Sequence, residues 1–279
     1  MQGEQFSAPV EGGHLGGWVD GTGEPVILLH GGPGMGATYL AALPAELGDG
    51  FRTVIFQQRG LAPSMAEGPF DVATAVTDVA AVLDHLGIAK AYVVGHSWGG
   101  HLALHVAVRL ADRLNGVLCL DPLGAVGDGG AAAFEAEMLA RTPEDVRAKA
   151  HELDERAMRG EGTAADALES LRLMWPAYYA DPTGAVMPDG MELSITAYSG
   201  LWESLVAEMP GLAEALPGVS VPVGFVAAAG GPMPVSACTD AAERIPGAWV
   251  EVLEDVGHML WMERAGCVAP AMRRLVSGG

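Results

Sequence analysis

Six short apolar runs, each closed by glycine, proline, aspartate or another polar residue, limit what this chain can fold into more than any other feature. They are "PVILLHG" (residues 25–31), "RTVIFQQ" (52–58), "KAYVVGH" (90–96), "NGVLCLD" (115–121), "VPVGFVA" (221–227) and "AWVEVLE" (248–254). Each is too short for a buried helix and too continuous for a half-exposed strand, the pattern of strands covered on both faces. Weaker hairpin material lies between Pro9 and Asp20. Helical periodicity fills the gaps: in "DVATAVTDVAAVLDHLG" (71–87), Val72, Val76, Val79, Val82, Leu83 and Leu86 form one apolar stripe. Strand alternating with helix predicts an α/β chain with a mostly parallel, doubly wound sheet. The alternation breaks once, over residues 125–217, where helical periodicity continues with no convincing strand. A helical cap over 125–217, inserted into a core of 1–124 and 218–279, is the expected organisation.

Composition narrows the partners. With 279 residues and 50% hydrophobic content the chain can bury a large core. Thirty-five acidic residues against 15 basic ones give a net charge of −20, which repels phosphate backbones and anionic lipid and argues against nucleic acid or a membrane surface as partner. No basic-then-apolar segment opens the sequence and no apolar run approaches the ~20 residues of a membrane span, so a cytoplasmic location is expected. Cys119, Cys238 and Cys267 are odd in number and lack CxxC spacing, against both a disulfide framework and a thiolate zinc site. A small-molecule substrate is the partner these features leave, with a homo-oligomer allowed.

Three segments can carry chemistry. "VVGHSWGG" sets Gly95-His96-Ser97-Trp98-Gly99 between a strand and the helix "HLALHVAVRLADRL". A strand-to-helix turn this tight needs small residues beside the serine, and it lifts the hydroxyl above the sheet at a helix N-terminus. Ser97 is the candidate nucleophile. "HGGPGMG" (30–36) follows the first strong strand; with Pro33 in it and no GKS or GKT it is no phosphate loop, but its free N–H groups suit a developing oxyanion. The N–H groups of Gly32 and Trp98 are the expected donors. In "EDVGHMLWMER", His258 follows the last strand with a glycine before it for the turn, which makes it the candidate base. His30 and His96 flank their motifs as structural residues. His101 and His105 have the i, i+4 spacing of a zinc pair without the glutamate of H-E-x-x-H; they are expected on the helix surface, and no metal or other cofactor is expected.

Taken together, "HGGPG" (30–34), "QQRGLAPS" (57–64), "GHSWGG" (95–100) and "GHMLWMER" (257–264) resemble the α/β-hydrolase superfamily, most closely its proline iminopeptidase-like branch. The resemblance spans nearly all of the sheet-forming chain and fails over the cap. It implies an α/β-hydrolase fold and a Ser-His-acid triad. Two residues depart from the branch: Gln57 stands where it usually has an aspartate before "QRG", and Gly231 stands where it usually has the catalytic aspartate.

A histidine that takes a proton from serine needs a partner on its other nitrogen, and losing that partner costs on the order of 10⁴ in rate. Asp121, at the end of the strand after the nucleophile strand and followed by Pro122, lies at the rim where Ser97 and His258 are expected. Certain haloalkane dehalogenases and the zearalenone lactonase are similar in placing the acid after the sixth strand. Asp240, inside the helix that follows the Gly-rich loop at 227–231, Asp255, too near His258 in sequence, and Asp128, already entering the cap, are weaker candidates, and Asp121 could also be a plain turn residue before proline. A carboxylate placed at Gly231 is expected to substitute in part for Asp121.

A serine at the elbow rules out the dehalogenase and epoxide-hydrolase modes, which need an aspartate nucleophile there. Acyl transfer through a serine ester remains. Trp175, Tyr178, Trp202 and Met259 suggest an apolar, aromatic-lined pocket. Glu203 beside Trp202 is similar to the Trp-Glu of iminopeptidase caps but lies near the cap's end. The reading is therefore an esterase or lactonase of apolar small molecules, with an aminopeptidase and a non-hydrolytic binder as alternatives.

Overall fold

The computed structural model describes residues 1, 3–159 and 161–278. Among them eight strands form one sheet: β1 (Glu4–Val10), β2 (Gly13–Gly21), β3 (Glu24–Leu29), β4 (Phe51–Phe56), β5 (Ala91–His96), β6 (Leu114–Leu120), β7 (Val223–Ala228) and β8 (Trp249–Leu253). Their order across the sheet is β1-β2-β4-β3-β5-β6-β7-β8. The β1–β2 and β2–β4 pairs are antiparallel and every pair from β4–β3 to β7–β8 is parallel. All six apolar runs form strands, and the weaker material becomes the antiparallel edge hairpin.

The runs are continuous because both faces are covered, yet the period of two still sorts their side chains. Ile27, Leu29, Val93, Val117, Cys119, Phe225 and Ala227 bury on one face, with the helices Val72–His85 and Trp98–Arg109. Val26, Leu28, Tyr92, Val94, Leu118, Leu120, Val226 and Ala228 bury on the other, with residues from Ala37–Ala42 and Ala269–Val276. The helix Val72–His85 starts where Asp71 accepts the Thr74 N–H at 2.6 Å.

Between β6 and β7 the described residues hold the α-helices Ala131–Arg141, Glu144–Met158, Ala164–Met174 and Ile195–Ala215, and no named strand. The last of these is not confined to the insertion. Its Leu201, Leu205, Met209 and Leu212 bury in the same cluster as the helix Trp98–Arg109. That packing corrects the expectation for His101 and His105: they are 0% and 1% exposed rather than on the helix surface. Residues 98–107 are buried on every side, and His101 Nδ1 donates to Gly124 O at 2.8 Å, in the loop after β6. His105 Nε2 lies 3.2 Å from His101 Nε2. A histidine pair is thus used as neutral hydrogen-bonding core, which periodicity could not reveal in a helix buried all round.

Candidate active site

The parallel strands deliver their C-terminal ends to one rim, and the connections after β3, β5, β6 and β8 build the site there. At the end of β5 the chain turns directly into the helix Trp98–Arg109, and glycine is obligatory on both sides of the turn. A Cβ at Gly95 would lie 2.1 Å from Gly99 O, and one at Gly99 would lie 2.1 Å from Leu29 O. Ser97 sits at the apex with φ 57° and ψ −122°, and its N–H donates to Leu120 O at 3.1 Å. Backbone in that region stores roughly 1–3 kcal/mol and persists only where its surroundings fix it.

Asp121 occupies the equivalent place on β6. His96 and Leu120 are direct partners across β5 and β6, so Ser97 and Asp121 are the next residues on adjacent strands. Asp121 also has positive φ, 41°. Its N–H donates to Val226 O at 2.7 Å, Oδ1 accepts the Ala228 N–H at 2.9 Å, and Oδ2 lies 2.6 Å from His258 Nδ1. The competing carboxylates are elsewhere. Asp128 accepts from Gly130 N–H and Ala132 N–H, capping the helix Ala131–Arg141, and Asp255 is exposed.

His258 is 1% exposed. Its N–H donates to Tyr178 O at 2.7 Å and its carbonyl accepts from His96 Nε2 at 2.8 Å. Three rings surround the imidazole: His96 at 4.6 Å between centroids, Tyr178 stacked at 5.5 Å, and Phe134 at 5.7 Å. Burial pushes His258 down to about 3 and the Asp121 carboxyl up, since each charge is costly away from water. The imidazole is neutral at rest, with Nδ1–H donated to Asp121 and Nε2 left with its lone pair. Ser97 Oγ makes no hydrogen bond to His258 among the described residues.

The fourth connection follows β3. Its Gly31 N–H donates to the Tyr39 hydroxyl. Gly32 N–H enters no hydrogen bond among the described residues, and Trp98 N–H, at the first position of its helix, has no intrahelical acceptor. The glutamines of "QQRG" brace this loop. Gln57 Oε1 accepts Ala37 N–H at 2.8 Å while its Nε2 donates to Met35 O at 3.1 Å. An aspartate, as in the branch this chain resembles, has no donor for that second bond. Gln58 Nε2 donates to His30 O and its Oε1 accepts the Trp98 indole N–H, both at 2.9 Å. Arg59, from the same motif, is fixed by a buried bidentate pair with Asp78 at 2.7 and 2.8 Å.

Of the four expected pocket residues, Tyr178 is brought onto His258. Trp175 stands behind it, 5.4 Å between rings, with its indole N–H donated to Val186 O. Trp202 stacks on Tyr198 at 6.2 Å, and Met259 is 2% exposed in the core beneath the sheet. Glu203 is exposed.

Gly231, after β7, leaves no room for a side chain. A Cβ there would lie 2.8 Å from His258 N and 3.2 Å from Gly257 C, so the His258 loop occupies the space a side chain would need. Arg141 Nη2 also donates to Gly231 O at 3.1 Å, and its Nη1 to Gly230 O at 2.7 Å. The expectation that a carboxylate at Gly231 could substitute for Asp121 is therefore corrected: that side chain has no room without moving the base.

A family model described as alpha/beta hydrolase fold matches residues 24–265. The chain belongs to the α/β-hydrolase family. Among solved structures, this α/β-hydrolase is similar to the enol-lactonase from Burkholderia xenovorans LB400, with a TM-score of 0.69 and 21% identity over 98% of this chain and 100% of that one. It is similar to the proline iminopeptidase of Mycobacterium smegmatis, again with TM-score 0.69 and 21% identity, over 98% and 99%. By sequence it is 38% identical over 104 residues to the soluble epoxide hydrolase of Corynebacterium sp. (strain C12), 36% of this chain and 35% of that protein. The match covers about a third of the length of the first curated relatives.

Within this α/β-hydrolase, sequence reasoning missed Phe134, Tyr39, Glu263 and Arg141. Phe134 carried a signal, a lone aromatic in "AAAFEAEML", the first helix after β6. Glu263 accepts Gly257 N–H at 2.8 Å and Ala180 N–H at 2.9 Å, tying the His258 loop to the segment between β6 and β7. Such clamps on distant backbone groups leave no mark in sequence spacing. No described helix is long and apolar enough to cross a membrane.

Proposed function

We propose that this chain is a serine hydrolase that cleaves an ester or lactone bond of an apolar small molecule through an acyl-enzyme. The observation that carries the reading is the 2.6 Å contact of Asp121 Oδ2 with His258 Nδ1, one strand over from Ser97. Neutral His258 takes the Ser97 proton on Nε2 as Oγ attacks the carbonyl carbon. Asp121 stabilises the imidazolium so formed, and Gly32 N–H and Trp98 N–H receive the negative oxygen. His258 then gives the proton to the leaving alkoxide, which for a lactone stays tethered to the acyl group. Water, activated by the same imidazole, releases the acid and restores Ser97. The steps draw on side chains and backbone alone.

Residues 125–217 act in this reading as a cap over a core of 1–124 and 218–279. Phe134 and Tyr178 reach His258 from the cap, so the acyl or alcohol portion nearest the base meets aromatic surface. An aminopeptidase would need a cap carboxylate turned inward for the substrate ammonium, and Glu203 is exposed. A binder without chemistry would have no use for a strained serine beside an Asp-His pair. The test is a hydrolysis screen over neutral esters, lactones and aminoacyl amides, with Ser97→Ala as control. Turnover of esters or lactones lost in Ser97→Ala is expected, and activity that survives Ser97→Ala contradicts the reading.

A further inference from the structure

A buried chain of hydrogen bonds joins the loop after β3 to the loop after β8, and the reaction steps above do not use it. Gly31 N–H donates to the Tyr39 hydroxyl, Tyr39 Oη lies 2.9 Å from His96 Nδ1, and His96 Nε2 lies 2.8 Å from His258 O. The proton positions follow from one end. A carbonyl oxygen only accepts, so His96 carries its proton on Nε2. Its Nδ1 is then an acceptor, the Tyr39 O–H must donate to it, and the Tyr39 oxygen is left to accept from Gly31. Each bond in the chain is satisfied in one orientation. That arrangement requires a neutral His96, and burial pushes its imidazolium well below the ordinary range. Trp261 fixes both rings, stacked on Tyr39 at 6.1 Å and edge-on to His96 at 5.0 Å.

The two ends of the chain matter. A Cβ at Gly31 would lie 2.8 Å from Tyr39 Oη and 3.0 Å from Ser97 Cβ, so that glycine is wedged between the tyrosine and the nucleophile. The other end is the main chain of the base itself. We propose that Tyr39 and His96 are positioning residues: they hold the oxyanion loop and the His258 loop at a fixed spacing around Ser97, and turn the Gly31 N–H away so that Gly32 N–H serves the oxyanion. This rests on the serine-hydrolase reading. Both side chains are buried, Tyr39 2% and His96 1% exposed, and act through backbone groups, so their loss should appear in kcat and not in KM.

Tyr39→Phe keeps the ring against Trp261 and removes the hydroxyl; His96→Gln breaks the chain at its next member. Ester hydrolysis is measured for the wild type, both variants and the double variant, with each preparation's active sites counted by complete fluorophosphonate labelling so that misfolded protein drops out. In each single variant kcat per labelled site should fall roughly 10- to 100-fold, below the effect of deleting an oxyanion donor outright, with KM within about threefold of wild type. The double variant should be no worse than the poorer single one, because both break the same chain. Should Tyr39→Phe fail to fold, the kcat and KM of His96→Gln decide the question by the same criterion. An unchanged kcat, a loss confined to KM, or losses that multiply in the double variant would overturn the proposal. A wild type that neither labels at Ser97 nor hydrolyses esters overturns the serine-hydrolase reading and this proposal with it; an active, labelled wild type with unaffected variants overturns the positioning role alone.

Discussion

Ser97 and Asp121 are counterparts on adjacent strands: each follows one member of the paired residues His96 and Leu120, and they are the two non-glycine residues with positive φ among those described. Ser97 N–H donates to Leu120 O, the residue before Asp121. Ser97 and Asp121 are thus set by one stretch of sheet register, and the Asp121 carboxylate needs no long loop to reach His258.

Asp121→Asn preserves size and the strand-end hydrogen bonds while removing the charge opposite His258 Nδ1. Steady-state kinetics on the best ester should show kcat lower by roughly 10²–10⁴ with KM little changed. A kcat within threefold of wild type would mean that another group supports the imidazole.

Gly231→Asp should fail to rescue Asp121→Asn. The added Cβ meets His258 N at 2.8 Å, so the double variant should be no more active than Asp121→Asn, and Gly231→Asp alone should lower both activity and thermal midpoint. Recovery of even a tenth of wild-type kcat would show that the loop after β7 can still present an acid.

Much of this arrangement could be read from the chain itself. The strand runs, the elbow glycines and His258 followed from periodicity and turn chemistry, because a buried parallel strand and a tight strand-to-helix turn admit few residue types. Asp121 needed one further step, the absence of a carboxylate at Gly231. What stayed hidden was set by tertiary packing: why Gly231 excludes a side chain, why His101 and His105 are core residues, and how Tyr39, Arg141 and Glu263 reach backbone groups far away in sequence.

Buried neutral histidines give a pH-dependent stability. Burial lowers His30 and His101 to about 4 and His105 to about 2. Above the ordinary value near 6.5 folded and unfolded chains hold the same protons there, so no stability is lost. As pH falls below 6.5 the unfolded chain takes up protons that the folded one refuses, and each residue removes about 1.4 kcal/mol per pH unit until its folded value is reached. Thermal midpoints should drop steeply between pH 6.5 and 4, and His105→Gln should flatten that slope. A midpoint level down to pH 4.5 would contradict it.

Substrate preference should follow the rings at the base. Neutral esters or lactones should exceed prolyl-p-nitroanilide in kcat/KM, Phe134→Ala should raise KM for apolar esters about tenfold or less, consistent with the loss of one aromatic contact surface, and Glu203→Gln should change neither. Loss of prolyl-amide cleavage in Glu203→Gln, with that amide the better substrate, would favour the aminopeptidase.

The proposed mechanism depends on Ser97 as the residue that becomes acylated. Intact-mass measurement of the wild type after a fluorophosphonate, followed by peptide mapping, should show one adduct per chain on Ser97, none in Ser97→Ala, and slower labelling in Asp121→Asn. An unlabelled wild type that still hydrolyses esters, or an adduct mapped to another residue, would contradict a Ser97-His258-Asp121 mechanism.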